Sequence, residues 1–210
     1  MRDPRYARTR ENMQEFRTSV KAGKLLRDAI RPLLMSAKDT RVTPRLVQTL
    51  FSIAKEDGTN PRGMRSPAKG LASAEGKMLL KSFSFNNAAP LTSILNKTYE
   101  LDTATGTITI VDLVPLNDLV IPGGATHVSF NGAMLKIDFD SRIYDCKMTN
   151  VQNMTINSTP SSINLLPPNL PSGNGVILYF LKIEFFQEIN AIQYPLMNGD
   201  YNSLAVIEVV

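Results

Sequence analysis

The sequence predicts a mainly β protein, an antiparallel β-sandwich of immunoglobulin-like or jelly-roll type, with a basic α-helical arm at its N-terminus. Three observations predict this class. Residues 176–210 alternate in the period of a strand, and residues 9–31 repeat apolar side chains at helical spacing. Beyond residue 98, turn residues recur about every eight to twelve positions, as in sandwich folds. We therefore predict a helical arm and loop over residues 1–81 and a β-sandwich domain over residues 82–210.

The charge of the chain is divided between these two regions. Residues 1–81 contain 18 Lys or Arg against 8 Asp or Glu, a net charge of +10. Residues 82–210 contain 5 against 11, a net charge of −6, which leaves +4 for the 210 residues. Regions of opposite net charge attract each other, so we expect the basic region to dock on an acidic surface of its own chain or of a neighbouring copy.

The N-terminal arm begins with arginines around Pro4 and continues into a helix predicted from Thr9 to about Arg31, where Pro32 kinks or ends it. The predicted apolar face of this helix consists of Met13, Phe16, Val20, Leu26 and Ile30. A basic stripe lies beside it. The residues predicted to form the interaction surface are Arg2, Arg5, Arg8, Arg10, Arg17, Lys21 and Lys24.

A second helix is predicted to begin at Thr43-Pro44, since threonine caps helices and proline suits the first helical position, and to end near Asp57-Gly58. Residues 59–70 are rich in Pro, Gly and basic residues, which indicates a basic loop. Residues 73–80 are expected to form one or two further helical turns.

The β region is predicted from alternation and turn chemistry. Asn131-Gly132 and Asn198-Gly199 are pairs that tolerate positive φ, so each predicts a tight hairpin. The run from residue 176 to residue 189 is apolar on both faces in its first half and on one face in its second, and residues 204–210 are again apolar on both faces. The C-terminal strands are therefore expected to form the centre of the core.

Few residues suggest chemistry. His127 is the only histidine, and no nucleophile or carboxylate marks a triad around it, so a solvated strand position is favoured. Cys146 is the only cysteine and is read as a structural thiol. Asp138 and Asp140 share a strand face and are weak candidates for a calcium site or paired acids, although a solvated polar face is the commoner outcome. We predict no enzyme activity and no cofactor.

The basic N-terminal region has two readings. It could follow the phosphates of a nucleic acid. However, its only aromatic residues are Tyr6, Phe16 and Phe51, too few for a stacking platform, and residues 33–42 separate its helices too widely for a helix-turn-helix. Docking on protein is favoured, and the predicted acceptors are Glu184 and Glu188.

Three distinctive segments span nearly the whole chain. They read DPRYARTRENMQEFRTSVKAGKLLRDAIRPLL at the start, RVTPRLVQTLFSIAKEDGTNPRG in the middle and FLKIEFFQEINAIQYPLMNGDYNSLAVIEVV at the end. Together these segments resemble a family of uncharacterised proteins from Bacteroidota. The resemblance implies a bacterial or phage-related setting and no particular activity, so no catalytic residue is carried over from it.

The sequence thus predicts a non-enzymatic structural protein that self-associates, or joins a larger particle or filament, through its basic arm. The alternative is a nucleic-acid-binding module that uses the same basic region. The opening residues lack the apolar segment of a secretory signal, and no run is long enough for a membrane span. We therefore expect the protein in the cytoplasm or as part of a phage-like or extracellular particle.

Overall fold

The computed structural model describes residues 3–210, except for the side chains at positions 4, 197 and 198. The helices are α1 (Ala7–Ala29), α2 (Arg31–Leu34), α3 (Val42–Lys55), α4 (Pro67–Gly70), α5 (Ala74–Leu80), α6 (Leu91–Ile94) and α7 (Pro115–Asp118). The strands are β1 (Glu100–Asp102), β2 (Thr107–Leu113), β3 (His127–Asp138), β4 (Ile143–Met148), β5 (Gln152–Thr155), β6 (Ser161–Leu165), β7 (Val176–Ile189), β8 (Ile192–Pro195) and β9 (Ser203–Val209). Helices and strands account for 31% and 32% of the chain, so the helical part is as large as the β part.

The strands form two antiparallel sheets, which we call the large sheet and the small sheet. The large sheet is built on β3 and β7, which pair along their length from His127 opposite Phe186 to Ile137 opposite Val176. Strands β4 and β5 pair with β3, and strands β8 and β9 pair with β7. The small sheet has the order β1-β2-β6. The prediction of antiparallel sheet with an N-terminal helix is confirmed.

The large sheet lies between helices α1 to α5 and the small sheet. Because side chains alternate along a strand, Leu178 and Phe180 of β7 enter a core with helices α1 to α5, whereas Tyr179 and Leu181 enter a second core with the small sheet. This explains why the first half of β7 is apolar at every position. The prediction that both faces are buried in the first half of this strand is confirmed.

Residues 3–81 contribute a layer to this core and do not project as an arm. Leu26, Leu46 and Leu50 are fully buried in the same cluster as Leu135 and Phe180 of the large sheet. The layers are also joined by polar contacts. The predicted division at residue 82 stays a prediction, and the shared core is the reason to expect both segments to unfold together.

One of the polar links between the layers is Asp39. Its carboxylate forms an ion pair with Arg45 and accepts the Asn87 backbone N–H at 2.9 Å. The pKa of Asp39 would be raised by burial, but these hydrogen bonds and that of the Arg41 backbone N–H lower it. The carboxylate therefore holds the loop before α3 against the first residues of the β region.

The buried face of α1 differs from the predicted one. Of the predicted face only Leu26 and Ile30 are buried, while Met13, Phe16 and Val20 are exposed. The face that is buried consists of Glu15, Ser19, Ala22, Gly23, Leu26 and Ala29. Small side chains are buried there because α3 approaches closely, and a Cβ at Gly23 would lie 3.4 Å from the Val47 side chain.

The predicted hairpin at Asn131-Gly132 is wrong, because β3 continues through both residues. Glycine is needed there for a tertiary reason: a Cβ at Gly132 would lie 2.4 Å from the Phe180 carbonyl oxygen. Asn198-Gly199 belongs to a 3-10 turn between two strands that both pair with β7, so it is not a tight hairpin either. The two-residue hairpin lies at Asn190-Ala191, where both φ angles are positive, at 52° and 62°.

Candidate interaction surface

The outward side of α1 combines apolar and basic residues in one row. Met13, Arg17, Val20 and Lys24 follow each other at intervals of three or four residues, which places them on one side of a helix. This row lies opposite the buried face. Met13 and Val20 are 50% and 41% exposed, a large fraction for apolar residues. We call this side of α1 the outer face of α1.

Two further features extend the outer face of α1. Phe16, which is half exposed, packs edge-on against Phe51 of α3 with ring centroids 6.0 Å apart. On the other flank, Arg10, Arg17 and Arg62 border a cleft of about 610 Å³ between α1 and the loop after α3. Apolar thioethers and guanidinium groups are therefore presented together on one continuous surface.

The cleft is shaped by a buried carboxylate. Glu15 of α1 accepts the backbone N–H of Gly63 at 2.6 Å, which fixes the loop against the helix. Gly63 has a φ of +91°, and a Cβ there would lie 2.8 Å from the Glu11 side chain, so only glycine suits the position. Arg62 then lies 3.5 Å from Glu11 and donates to Asn12 at 3.0 Å. The predicted basic loop is therefore held in one position and forms one side of the cleft.

The predicted basic residues differ in their surroundings. Arg2 lies outside the described residues, and Arg8 is exposed. Arg5 pairs with Asp3 at 2.8 Å, and its hydrogen bonds lower the pKa of that carboxyl.

Further along the helix, Lys24 pairs with Asp28 at 2.6 Å, which lowers the pKa of Asp28. Arg10 donates to the Asp3 carbonyl at 2.8 Å. Arg8, Arg17 and Lys21 are exposed and form no ion pair within the part of the chain that the structure describes. These three are therefore the predicted cations most available to a partner, and Arg17 and Lys21 lie on or next to the outer face of α1.

The predicted acceptors are engaged within their own chain. Glu184 pairs with Lys182 at 2.7 Å, and the two side chains are only 16% and 5% exposed. Lys182 also donates to the Ser36 hydroxyl at 2.6 Å, which ties the sheet to the helical layer. Glu188 lies 3.4 Å from His127. Their role as acceptors stays a prediction.

The candidates for chemistry have local structural partners. Asp138 accepts from the backbone and hydroxyl of Ser141, which lowers the pKa of Asp138, and Asp140 lies 3.5 Å from Lys69. His127 lies 3.0 Å from the Thr126 hydroxyl and 3.3 Å from the Thr155 hydroxyl. Within residues 3–210, no group of three or more His, Cys, Asp or Glu is arranged to hold a metal ion.

Sequence reasoning missed the acidic side of the small sheet. The small sheet turns Ile108 and Ile110 toward the large sheet, so the alternate positions face outward. Two of the outward side chains, Glu100 and Asp102, are exposed and carry a negative charge, opposite to the positive charge of the outer face of α1. In the sequence, this acidic face is indicated by two carboxylates, Glu100 and Asp102, that are separated by the single apolar residue Leu101.

Cys146 provides a test of packing. It is half-buried against the helical core, and burial, together with the charge of Asp145, raises the pKa of its thiol to about 11. At pH 8 the native thiolate fraction should be about a hundredfold below that of a free cysteine. We expect a disulfide reagent to label the native protein at least about tenfold more slowly than the urea-unfolded protein. Equal labelling rates would contradict this packing.

Comparisons with protein families, with curated proteins and with solved structures find no match to this chain. Within the described residues, no helix has both the length and the apolar character required to cross a membrane. The properties of the outer face of α1 are therefore the basis for assigning a function.

Proposed function

We propose that this is a non-enzymatic structural protein that self-associates, or joins a larger particle or filament, through the outer face of α1. The observation that carries the proposal is the row of Met13, Arg17, Val20 and Lys24 opposite the buried face of the helix. An exposed patch that mixes large apolar side chains with cations is typical of a protein–protein contact. Its apolar part supplies affinity when covered, and its charge selects an acidic partner.

The position of α1 favours a rigid docking element. The inner face of α1 is fixed in the core through Leu26. The neighbouring loop after α3 is held against α1 by the hydrogen bond from the Gly63 backbone N–H to the Glu15 carboxylate. A partner would therefore meet a surface that is already ordered, so little conformational entropy is lost on binding. A partly exposed pair such as Phe16 and Phe51 would be covered at the same time.

Reversing the charge of Arg17 and Lys21 is expected to weaken assembly. In the double variant Arg17→Glu/Lys21→Glu, an acidic partner is repelled, and the dissociation constant should rise by at least about tenfold. Sedimentation or light scattering at micromolar concentration, in low and high salt, measures the effect. The wild-type protein should be larger in low salt than in high salt.

The matched control is Lys38→Glu/Arg41→Glu, which makes the same change in charge at two exposed positions before α3. This control should assemble as the wild type does. A wild-type protein that is monomeric at every salt concentration would rule out self-association. Equal weakening by both double variants would show that only net charge matters.

A second function, nucleic-acid binding, is favoured by one specific observation. Arg10, Arg17 and Arg62 border the same cleft, and guanidinium groups bind phosphates well. This function predicts a salt-dependent mobility shift of duplex DNA that Arg17→Glu/Lys21→Glu abolishes. Assembly in nuclease-treated protein, without such a shift, would favour the structural role.

The proposal also includes the type of fold and the cellular setting that the sequence predicts. The two sheets are taken as a sandwich of immunoglobulin-like or jelly-roll type, supported by the apolar core between their facing sides. The setting is the bacterial cytoplasm or a phage-like or extracellular particle, in keeping with the resemblance to proteins from Bacteroidota. No enzyme activity and no cofactor are assigned.

A further inference from the structure

The basic and the acidic surfaces of the chain point in opposite directions. Helices α1 to α5 cover the face of the large sheet that carries Leu178 and Phe180, and the small sheet, together with α6, covers the face that carries Tyr179 and Leu181. The outward sides of these two layers are therefore separated by the whole thickness of the molecule. A single copy cannot bring them together.

The two layers carry opposite charge. The segment 1–81, whose described residues form the helical layer, has a net charge of +10. Residues 82–126, which include strands β1 and β2, contain one lysine against four carboxylates, a net charge of −3. That lysine, Lys97, is held by the Asp112 carbonyl at 3.0 Å and lies 3.8 Å from Asp118. Lys97 therefore does not neutralise the outward carboxylates of the small sheet.

The outer face of the small sheet carries polar side chains from all three of its strands. Glu100, Thr109 and Asn164 form one row across its three strands, because Thr109 pairs with both of the others. Asp102 lies on the same face beside Thr107, and Val111 adds an apolar side chain that is 51% exposed. The face thus offers carboxylates, small polar groups and one apolar contact, which complement the cations and apolar groups of α1.

We propose that the acidic outer face of the small sheet binds the outer face of α1 of a second copy, so that copies join head to tail. The proposal rests on the proposed function and adds the identity of the partner surface. Two outer faces of α1 would repel each other, which disfavours a symmetric pair formed through this surface. A head-to-tail contact repeats from copy to copy and produces a ring if it closes or a filament if it does not.

Charge exchange within one chain tests the pairing. Glu100→Lys/Asn164→Lys should weaken assembly by at least about tenfold, as Arg17→Glu/Lys21→Glu does. The quadruple variant that carries all four substitutions has an acidic helix face and a basic sheet face, so it should recover assembly to within about tenfold of the wild type. Light scattering across protein concentration measures all of these variants.

The matched control for the sheet variant is Gln187→Lys/Asp200→Lys, which adds the same charge at two exposed positions outside the small sheet. It should assemble as the wild type does. If it weakens assembly as much as the sheet variant, then the effect follows net charge and the head-to-tail proposal is overturned. Normal assembly of Glu100→Lys/Asn164→Lys, or no recovery in the quadruple variant, also overturns it while leaving self-association through α1 intact.

Folding is checked by thermal melting in high salt. If Glu100→Lys/Asn164→Lys does not fold, Thr109→Lys replaces it in the experiment. Thr109 lies on the same face of the small sheet, so this variant should also weaken assembly. A wild-type protein without self-association would instead refute self-association through the outer face of α1, and the head-to-tail pairing with it. The two failures are thus distinguishable.

Discussion

Alanine at Gly70 is expected to lower the free energy of unfolding by about 3 kcal/mol or more. A Cβ at this position would lie 1.9 Å from the carbonyl oxygen of Ile53 and 2.7 Å from its carbonyl carbon. Both partners are backbone atoms of packed helices, so neither can move without shifting α3 or α4. In an isolated helix, alanine is more favourable than glycine by about 1 kcal/mol, so a loss of stability would be entirely tertiary in origin.

Urea denaturation followed by circular dichroism measures this loss. The matched control is Gly58→Ala, since no atom lies within 4 Å of a Cβ built at Gly58. The control should change the free energy of unfolding by less than about 1 kcal/mol. An unchanged denaturation midpoint for Gly70→Ala would mean that α4 does not pack against α3 this closely.

The packing at Gly70 extends to α5. A Cβ at Gly76 would lie 2.0 Å from the Gly70 carbonyl oxygen, so the close contacts run from α3 through α4 to α5. The loop that contains Arg62 ends at α4. Displacing α4 is therefore expected to disturb the cleft beside α1 as well as the core.

Replacing Asp57 with alanine is expected to lower the free energy of unfolding by about 3 kcal/mol. Its side chain is almost fully buried and accepts the backbone N–H and hydroxyl of Thr59 at 2.9 and 2.7 Å. It also accepts the backbone N–H and side-chain amide of Asn60 at 3.0 and 2.8 Å. A fifth hydrogen bond comes from the Ser66 backbone N–H at 3.1 Å. Alanine leaves these donors without an acceptor.

The stabilisation by Asp57 should depend on pH. Burial alone would raise the pKa of Asp57, but the hydrogen bonds from Asn60 and Thr59 outweigh burial and place the pKa far below its usual range. A lowered pKa in the folded state means that the stabilisation is complete above the unfolded-state pKa of about 3.9. It is lost as the pH falls below that value, because the unfolded state then takes up the proton first.

The measurement compares the wild type with Asp57→Ala by urea denaturation from pH 7 to pH 3. The difference in the free energy of unfolding should be constant at neutral pH and shrink below about pH 4. Glu56→Ala, at the neighbouring exposed position, serves as the control and should show little difference. A difference for Asp57→Ala that does not vary with pH would show that packing rather than the carboxylate charge stabilises the loop.

Several elements could be predicted because they depend on neighbours in the sequence. The first helix was predicted over residues 9–31 and runs from Ala7 to Ala29, with the interruption before Pro32. The dense apolar run of β7 predicted a strand buried on both faces, and it lies at the centre of the large sheet. Residues 73–80 were predicted as helical turns and contain α5.

The candidate surface was predicted only in part. The sequence indicates that Arg17, Lys21 and Lys24 share one side of a helix, since side-chain spacing is a local property. It also places Met13 and Val20 in the core, which is wrong because both are exposed. Local periodicity identifies a stripe, but the surrounding structure decides which stripe is buried.

The sequence by itself determined the charge segregation, the positions of most helices and strands, and the central role of residues 176–210. Only the tertiary structure decided that Glu15 is buried, because its partner is the backbone of Gly63, far away in the chain. It also decided that β3 passes through Gly132, where the carbonyl of Phe180 leaves no space for a side chain. These outcomes depend on which distant residues meet, and the same contacts place a basic face and an acidic face on opposite sides of one molecule.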